Sequence, residues 1–104
     1  MTKKYGFHGK LTAAAGQKDT LASILLEASR LVSTVKGCQV YMISEDKNEP
    51  DAVWVTEVWD SKEDHDDSLK VAGVRELISQ AIPILSGTPQ KGQELAILGG
   101  TGIS

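Results

Sequence analysis

Apolar positions recur in two periods along this chain, and the switches between them divide it into elements. Residues 4–12 alternate: Tyr5, Phe7, Gly9 and Leu11 fall on one side, and Gly6, His8 and Lys10 on the other, the period of a strand. Glycine in a strand leaves room beside it for a ligand or a neighbouring group, so Gly6 and Gly9 mark a close approach. In residues 16–36, Leu21, Ile24, Leu25, Ala28, Leu31, Val32 and Val35 repeat at three and four. That spacing predicts one amphipathic helix, about 30 Å long at 1.5 Å per residue, with Gly37 as its C-terminal stop.

Residues 38–45 return to alternation. Cys38, Val40 and Met42 are expected on one face, Tyr41 and Ile43 on the other. Residues 46–51 form a polar turn in which Pro50 bars a ladder bond. Residues 53–59, Val-Trp-Val-Thr-Glu-Val-Trp, are β-branched and aromatic, as a pleated ladder favours. Val53, Val55 and Trp59 share one face, Trp54 and Val58 the other, and only Thr56 and Glu57 interrupt. Two covered faces belong to a strand at the centre of a sheet.

Asp60 and Ser61 then offer oxygens to a helix start, and Ser61 with Asp64 approximates a capping box. A short helix over 61–69 puts Ser61, His65 and Leu69 on one face. A second helical segment over 71–82 carries a stripe of Val74, Leu77, Ile78, Ala81 and Ile82. A bend is expected near residues 70–73, where Gly73 stands, and Pro83 ends or kinks the segment. Residues 86–92 read as loop, 93–98 as a last apolar strand, and 99–104 as a glycine-rich tail.

The order β-α-β-β-α-β with right-handed connections gives one α+β architecture, the ferredoxin-like fold. It is a four-stranded antiparallel sheet with both helices on one face and the first and third strands central. Trp54, Val58, Tyr41, Ile43 and one side of the last strand are then expected on the uncovered face. Leaving two or three such side chains in water forfeits several kcal/mol at about 25 cal/mol per Å². A second copy packed sheet to sheet is the expected remedy, with Tyr41 and Trp54 serving the dimer.

Composition narrows the function. The 104 residues allow one domain, with a core over about 4–98. A net charge of −3 with no cluster of Lys and Arg points away from nucleic acid. No apolar run approaches a membrane span, and no signal core precedes the first strand. The single cysteine, Cys38, rules out an internal disulfide and suits a reducing cytoplasm. It reads as a structural thiol, having no His or Asn motif beside it. The acids of residues 45–67 match no metal-loop spacing and read as a solvated edge. His8, on the less apolar side of its strand, reads as an interface or edge residue. His65 has two readings. It is a helix-surface residue in an acidic run, or it turns beneath the end of the central strand and supplies an imidazole that titrates near working pH.

Several stretches in this order resemble the antibiotic biosynthesis monooxygenase family, small dimeric α+β-barrel proteins that include quinol monooxygenases. They are Tyr5–Leu11 followed by Ala15-Gly16-Gln17, then Lys36-Gly37-Cys38 leading to Tyr41, then Glu57-Val58-Trp59 before a helix. The resemblance spans residues 4–98. It implies a homodimer that oxygenates a quinol or other electron-rich aromatic molecule with O2, without a cofactor or metal. The chemistry needs a phenol deprotonated in a dry pocket. His65 would be the general base, with Tyr5, Phe7, Trp59, Leu69 and Ile78 on the walls. Many members carry a His nine residues after the strand-ending Trp, where Ser68 stands here; His65 lies one helical turn earlier. A haem-degrading branch uses an Asn, a Trp and a His, at positions that fall on Gly9, near Ser68 and near Leu77 or Ile78. A non-catalytic dimer of the same fold that binds a small molecule or regulates a partner is the alternative reading.

Overall fold

The structure, a computed structural model, describes residues 3–87 and 91–103. Residues 88–90 of the expected loop, the first two residues and the last residue of the expected tail lie outside them. The elements are β1 (Lys4–Thr12), α1 (Lys18–Val32), β2 (Cys38–Glu45), β3 (Ala52–Trp59), α2 (Lys62–Ser68), α3 (Val74–Ala81), a 3-10 turn (Ile82–Ile84) and β4 (Gln93–Ile97). The sheet order is β2-β3-β1-β4, and every neighbouring pair is antiparallel. This is the ferredoxin-like α+β fold, with β1 and β3 at its centre.

Helix α1 is shorter than its apolar stripe. It ends at Val32, fifteen residues and about 22 Å long, and turns carry the chain on to Gly37. Leu21, Leu25, Ala28 and Val32 are its buried stripe. Leu21 and Leu25 pack with Val53, Val55, Ala13 and Ala81, and Val32 packs with Trp59 and Val74. The expected bend before α3 is at Gly73, whose φ of +92° lies in the left-handed region that favours glycine. Pro83 occupies the 3-10 turn where α3 ends.

The face assignment of β2 needs correction. Tyr41 and Ile43 were expected on the uncovered face. They stand opposite Glu57 and Val55 instead and pack into the helix-covered core. The register shifts between Cys38 and Val40. This bulge breaks the alternation, so Cys38 pairs with Trp59 and joins Tyr41 beneath the helices, while Val40 and Met42 take the open side. A bulge adds one residue to one strand, which a strict period of two does not anticipate. Tyr41 is therefore packed into the core and does not stand on the open face where the dimer contact was expected.

The open face carries Val40, Met42, Trp54, Val58, Leu95 and Ile97 by register. His8 stacks on Trp54 at 4.6 Å and meets Thr56 at 3.0 Å through Nδ1. The Trp54 indole N–H donates to Asp46 at 2.9 Å. These contacts lay the Trp54 ring along the sheet and half bury it, whereas Met42 and Leu95 stay 50% and 45% exposed. No described helix is long and apolar enough to cross a membrane.

Candidate functional site

Strand register builds the site. Tyr5 pairs with Trp59 and Phe7 with Glu57, so four side chains stand in a square on the helix-covered face. Helix α2 then lays His65 over that square. Its start is fixed by Ser61, whose hydroxyl accepts the Asp64 N–H at 3.1 Å, as an N-cap does. The Asp64 carboxylate sits against Gly37, with Lys36 at 3.8 Å. Gly37 also accepts the Asp60 N–H at 2.8 Å. The short helix is thus tied at its beginning to the β2–β3 edge, which points His65 inward.

The imidazole lies among rings: Tyr5 at 5.1 Å, Phe7 at 5.9 Å and Trp59 at 6.1 Å edge-on. Its side chain is 15% exposed. Nδ1 meets Asp66 Oδ1 at 2.9 Å, and Nε2 is 3.8 Å from Glu57 Oε1. A neutral imidazole has one N–H, and a carboxylate only accepts. Asp66 therefore holds the hydrogen on Nδ1 and leaves the Nε2 lone pair facing Glu57. The His65 and Lys62 contacts keep Asp66 below the usual carboxylate range.

Glu57 is the residue that sequence reasoning passed over. It looked like a polar interruption in an apolar strand, yet it is only 7% exposed. Its Oε1 accepts the Trp59 indole N–H at 2.9 Å. Burial pushes its carboxyl above the usual range, and the Trp59 hydrogen bond and the nearby His65 pull the other way. A buried acid on a helix-covered face is costly unless it is bonded. The sequence signal was its place two residues before Trp59 on the inward face.

Beside this square lies a cavity of about 170 Å³, bordered by Phe7, Gly9, Leu25, Tyr41, Val55 and Glu57, with Gly92 at its edge. A dry cavity of about 150 Å³ is enough for one benzene ring. The two glycines serve Phe7: a methyl on Gly92 would lie 2.2 Å from its ring and one on Gly9 3.1 Å. Gly6 likewise leaves room for Ile97 on the open face. Tyr5 donates to Glu94 at 2.9 Å; burial, then Glu94, raise its phenol to about 12, so it stays protonated near neutral pH.

The structure thus gathers Tyr5, Phe7, Trp59 and His65. Leu69 and Ile78 are at the surface, 45% and 41% exposed, and do not border the cavity. Ser68 is buried and bonds the His65 carbonyl at 2.5 Å. A tetrapyrrole is several times larger than the ring the cavity admits. Among the described residues, no group of three or more His, Cys, Asp or Glu is placed to hold a metal.

Residues 5–79 match the sequence model of the family described as antibiotic biosynthesis monooxygenase. No curated protein matches the chain. A "putative antibiotic biosynthesis monooxygenase" from Chloroflexus aurantiacus is 39% identical, with a TM-score of 0.86 over 97% of this chain and 99% of that one. A protein of the same description from Deinococcus radiodurans is 25% identical, with a TM-score of 0.74 over 96% of each chain. One from Nitrosomonas europaea, at 11% identity and a TM-score of 0.87 over 94% of this chain and 93% of that one, shares the fold. With the family pattern covering 75 of its 104 residues, the same strand order and a relative at 39% identity end to end, the chain belongs to the antibiotic biosynthesis monooxygenase family.

Proposed function

We propose that this protein is a monooxygenase that oxidises a single-ring phenol or quinol with O2, in the cavity beside Phe7 and Glu57. The observation that carries this reading is an imidazole held in one tautomer by Asp66, its free nitrogen turned toward a buried acid on the wall of a ring-sized cavity. The hydroxyl proton passes to His65, which later releases it, and the O–H electron pair stays on the phenol oxygen. The electron-rich phenolate then reduces O2. One oxygen atom ends on a ring carbon as a carbonyl in place of that carbon's one hydrogen, the phenol oxygen becomes the second carbonyl, and the other oxygen atom leaves as water with the ring hydrogen. The hydroxyl proton is the second hydrogen that water receives. The ring supplies all four electrons, so no external reductant is consumed. Phe7, on the cavity wall, gives the ring an apolar face to pack against. The working unit we propose is a homodimer joined through the open sheet face.

Oxygen uptake with a panel of single-ring quinols tests this. Wild type should consume O2, and His65→Ala should lose about 100-fold in kcat, the scale of one general base. Equal turnover in both would remove His65 as the base. Tight ring binding with no uptake by either would make the protein a binding module.

A further inference from the structure

Glu57 borders the cavity, and His65 does not. We propose that Glu57 is the catalytic residue that meets the ligand's hydroxyl, and that His65 takes the proton onward from Glu57 rather than from the ligand. This rests on the reading that a phenolic ring fills the cavity. Among the described residues, both polar contacts of the carboxylate, with Trp59 at 2.9 Å and His65 at 3.8 Å, are made by Oε1, which leaves Oε2 to the ligand. The phenol proton bonds to the Glu57 carboxylate while its electron pair remains on the phenol oxygen. From Glu57 the proton passes to Nε2, giving an imidazolium between Glu57 and Asp66.

Among the described residues, no other group near this carboxylate does the same work. Tyr41 and Cys38 of β2 are raised above their usual range, first by burial and then by the charge of Glu57. Tyr5 of β1 stands at about 12 and is bonded to Glu94. All three are protonated near neutral pH and offer a phenol no base to take its proton. From α2, only His65, with Asp66 behind it, faces Glu57. Burial raises the Glu57 carboxyl above its usual range, which makes it a stronger base than an exposed glutamate.

The test uses nitrophenol as a coloured ring that reports its own ionisation, titrated with the protein under argon. A carboxylate beside the hydroxyl disfavours phenolate. Replacing it in Glu57→Gln should therefore lower the pH at which bound nitrophenol ionises by about one unit. With quinols and O2, the same variant should lose about 100-fold in kcat with its KM within a fewfold of wild type. That loss should shrink along a series of more acidic quinols, which a merely structural defect would not produce. An unchanged nitrophenol titration, or an undiminished kcat, overturns the proposal. If wild type binds nitrophenol but consumes no O2 with any quinol, the oxidation reading fails, and the titration still decides the place of Glu57. If wild type does not bind nitrophenol, both readings fail. Should Glu57→Gln not fold, the wild-type chain carrying ¹³C-labelled glutamate decides. The infrared band of a protonated glutamic acid must change when nitrophenol binds, and no change contradicts the proposal.

Discussion

At the residue scale, Glu57 is a carboxyl held only 7% exposed in the helix-covered face, and that burial has a cost in stability. Its folded value lies above that of an unfolded glutamate, about 4.3, chiefly because of burial. The sign follows. Below the unfolded value the group is neutral in both states and its ionisation contributes nothing. As pH rises from there through the folded value, the unfolded chain ionises freely and the buried group resists, so stability falls and then levels off. Glu57→Gln keeps the shape and an acceptor for the Trp59 N–H but cannot ionise. It should therefore melt higher than wild type at pH 7, with the difference closing by about pH 4. Equal melting temperatures across that range would contradict burial as the dominant cause. Sequence alternation put Tyr5, Phe7 and Trp59 on the inward face, and it left His65 between a surface reading and an inward one. It did not read Glu57, because a lone acid in a strand looks the same whether it faces water or a cavity. The difference lies in what β1 and α2 bring to it.

Elements place these residues, and their joints matter more than their interiors. Helix α2 has seven residues, too few to hold itself, so its direction depends on Ser61, Asp64 and Gly37. Gly37 has a φ of +84°, and a methyl there would meet the Asp64 carboxylate at 2.2 Å. Gly37→Ala should destabilise the fold by about 2 kcal/mol or more, from the left-handed backbone and the clash together. Urea unfolding measures this. A loss under about 0.5 kcal/mol, within the range of an ordinary surface change, would mean that α2 is not pinned there. The glycine was legible in the sequence as a helix stop; its second role, receiving the side chain of Asp64, needed the tertiary contact. The bulge in β2 was illegible for a similar reason. Period-two reading assigns every residue a face, and one inserted residue at Gln39 moves Cys38 to the other side. The strand boundaries themselves were plain, because Pro50, Gly37 and the β-branched run punctuate the chain strongly.

For the whole molecule, the sheet topology was the most legible feature, since element order and right-handed connections leave few alternatives. The open face was legible only in part. Trp54 is laid down by His8 and bonded to Asp46, and Tyr41 and Ile43 turn inward, so the apolar surface left for a partner centres on Met42 and Leu95. The proposed homodimer should appear as a two-chain species by sedimentation equilibrium at micromolar concentration. Met42→Glu, which places two charges in a twofold interface, should weaken it at least about tenfold, or 1.4 kcal/mol. A wild-type monomer under those conditions would contradict the dimer.

The central claim is that a ring in the cavity gains one atom of O2 with no added reductant. The direct measurement is mass spectrometry of the product formed from a single-ring phenol under ¹⁸O₂, sampled before carbonyl oxygen exchanges with water. The account predicts one labelled oxygen on the ring, labelled water as the second product, and near-complete loss of both with His65→Ala. Product without label, or label that appears equally without the protein, would contradict it.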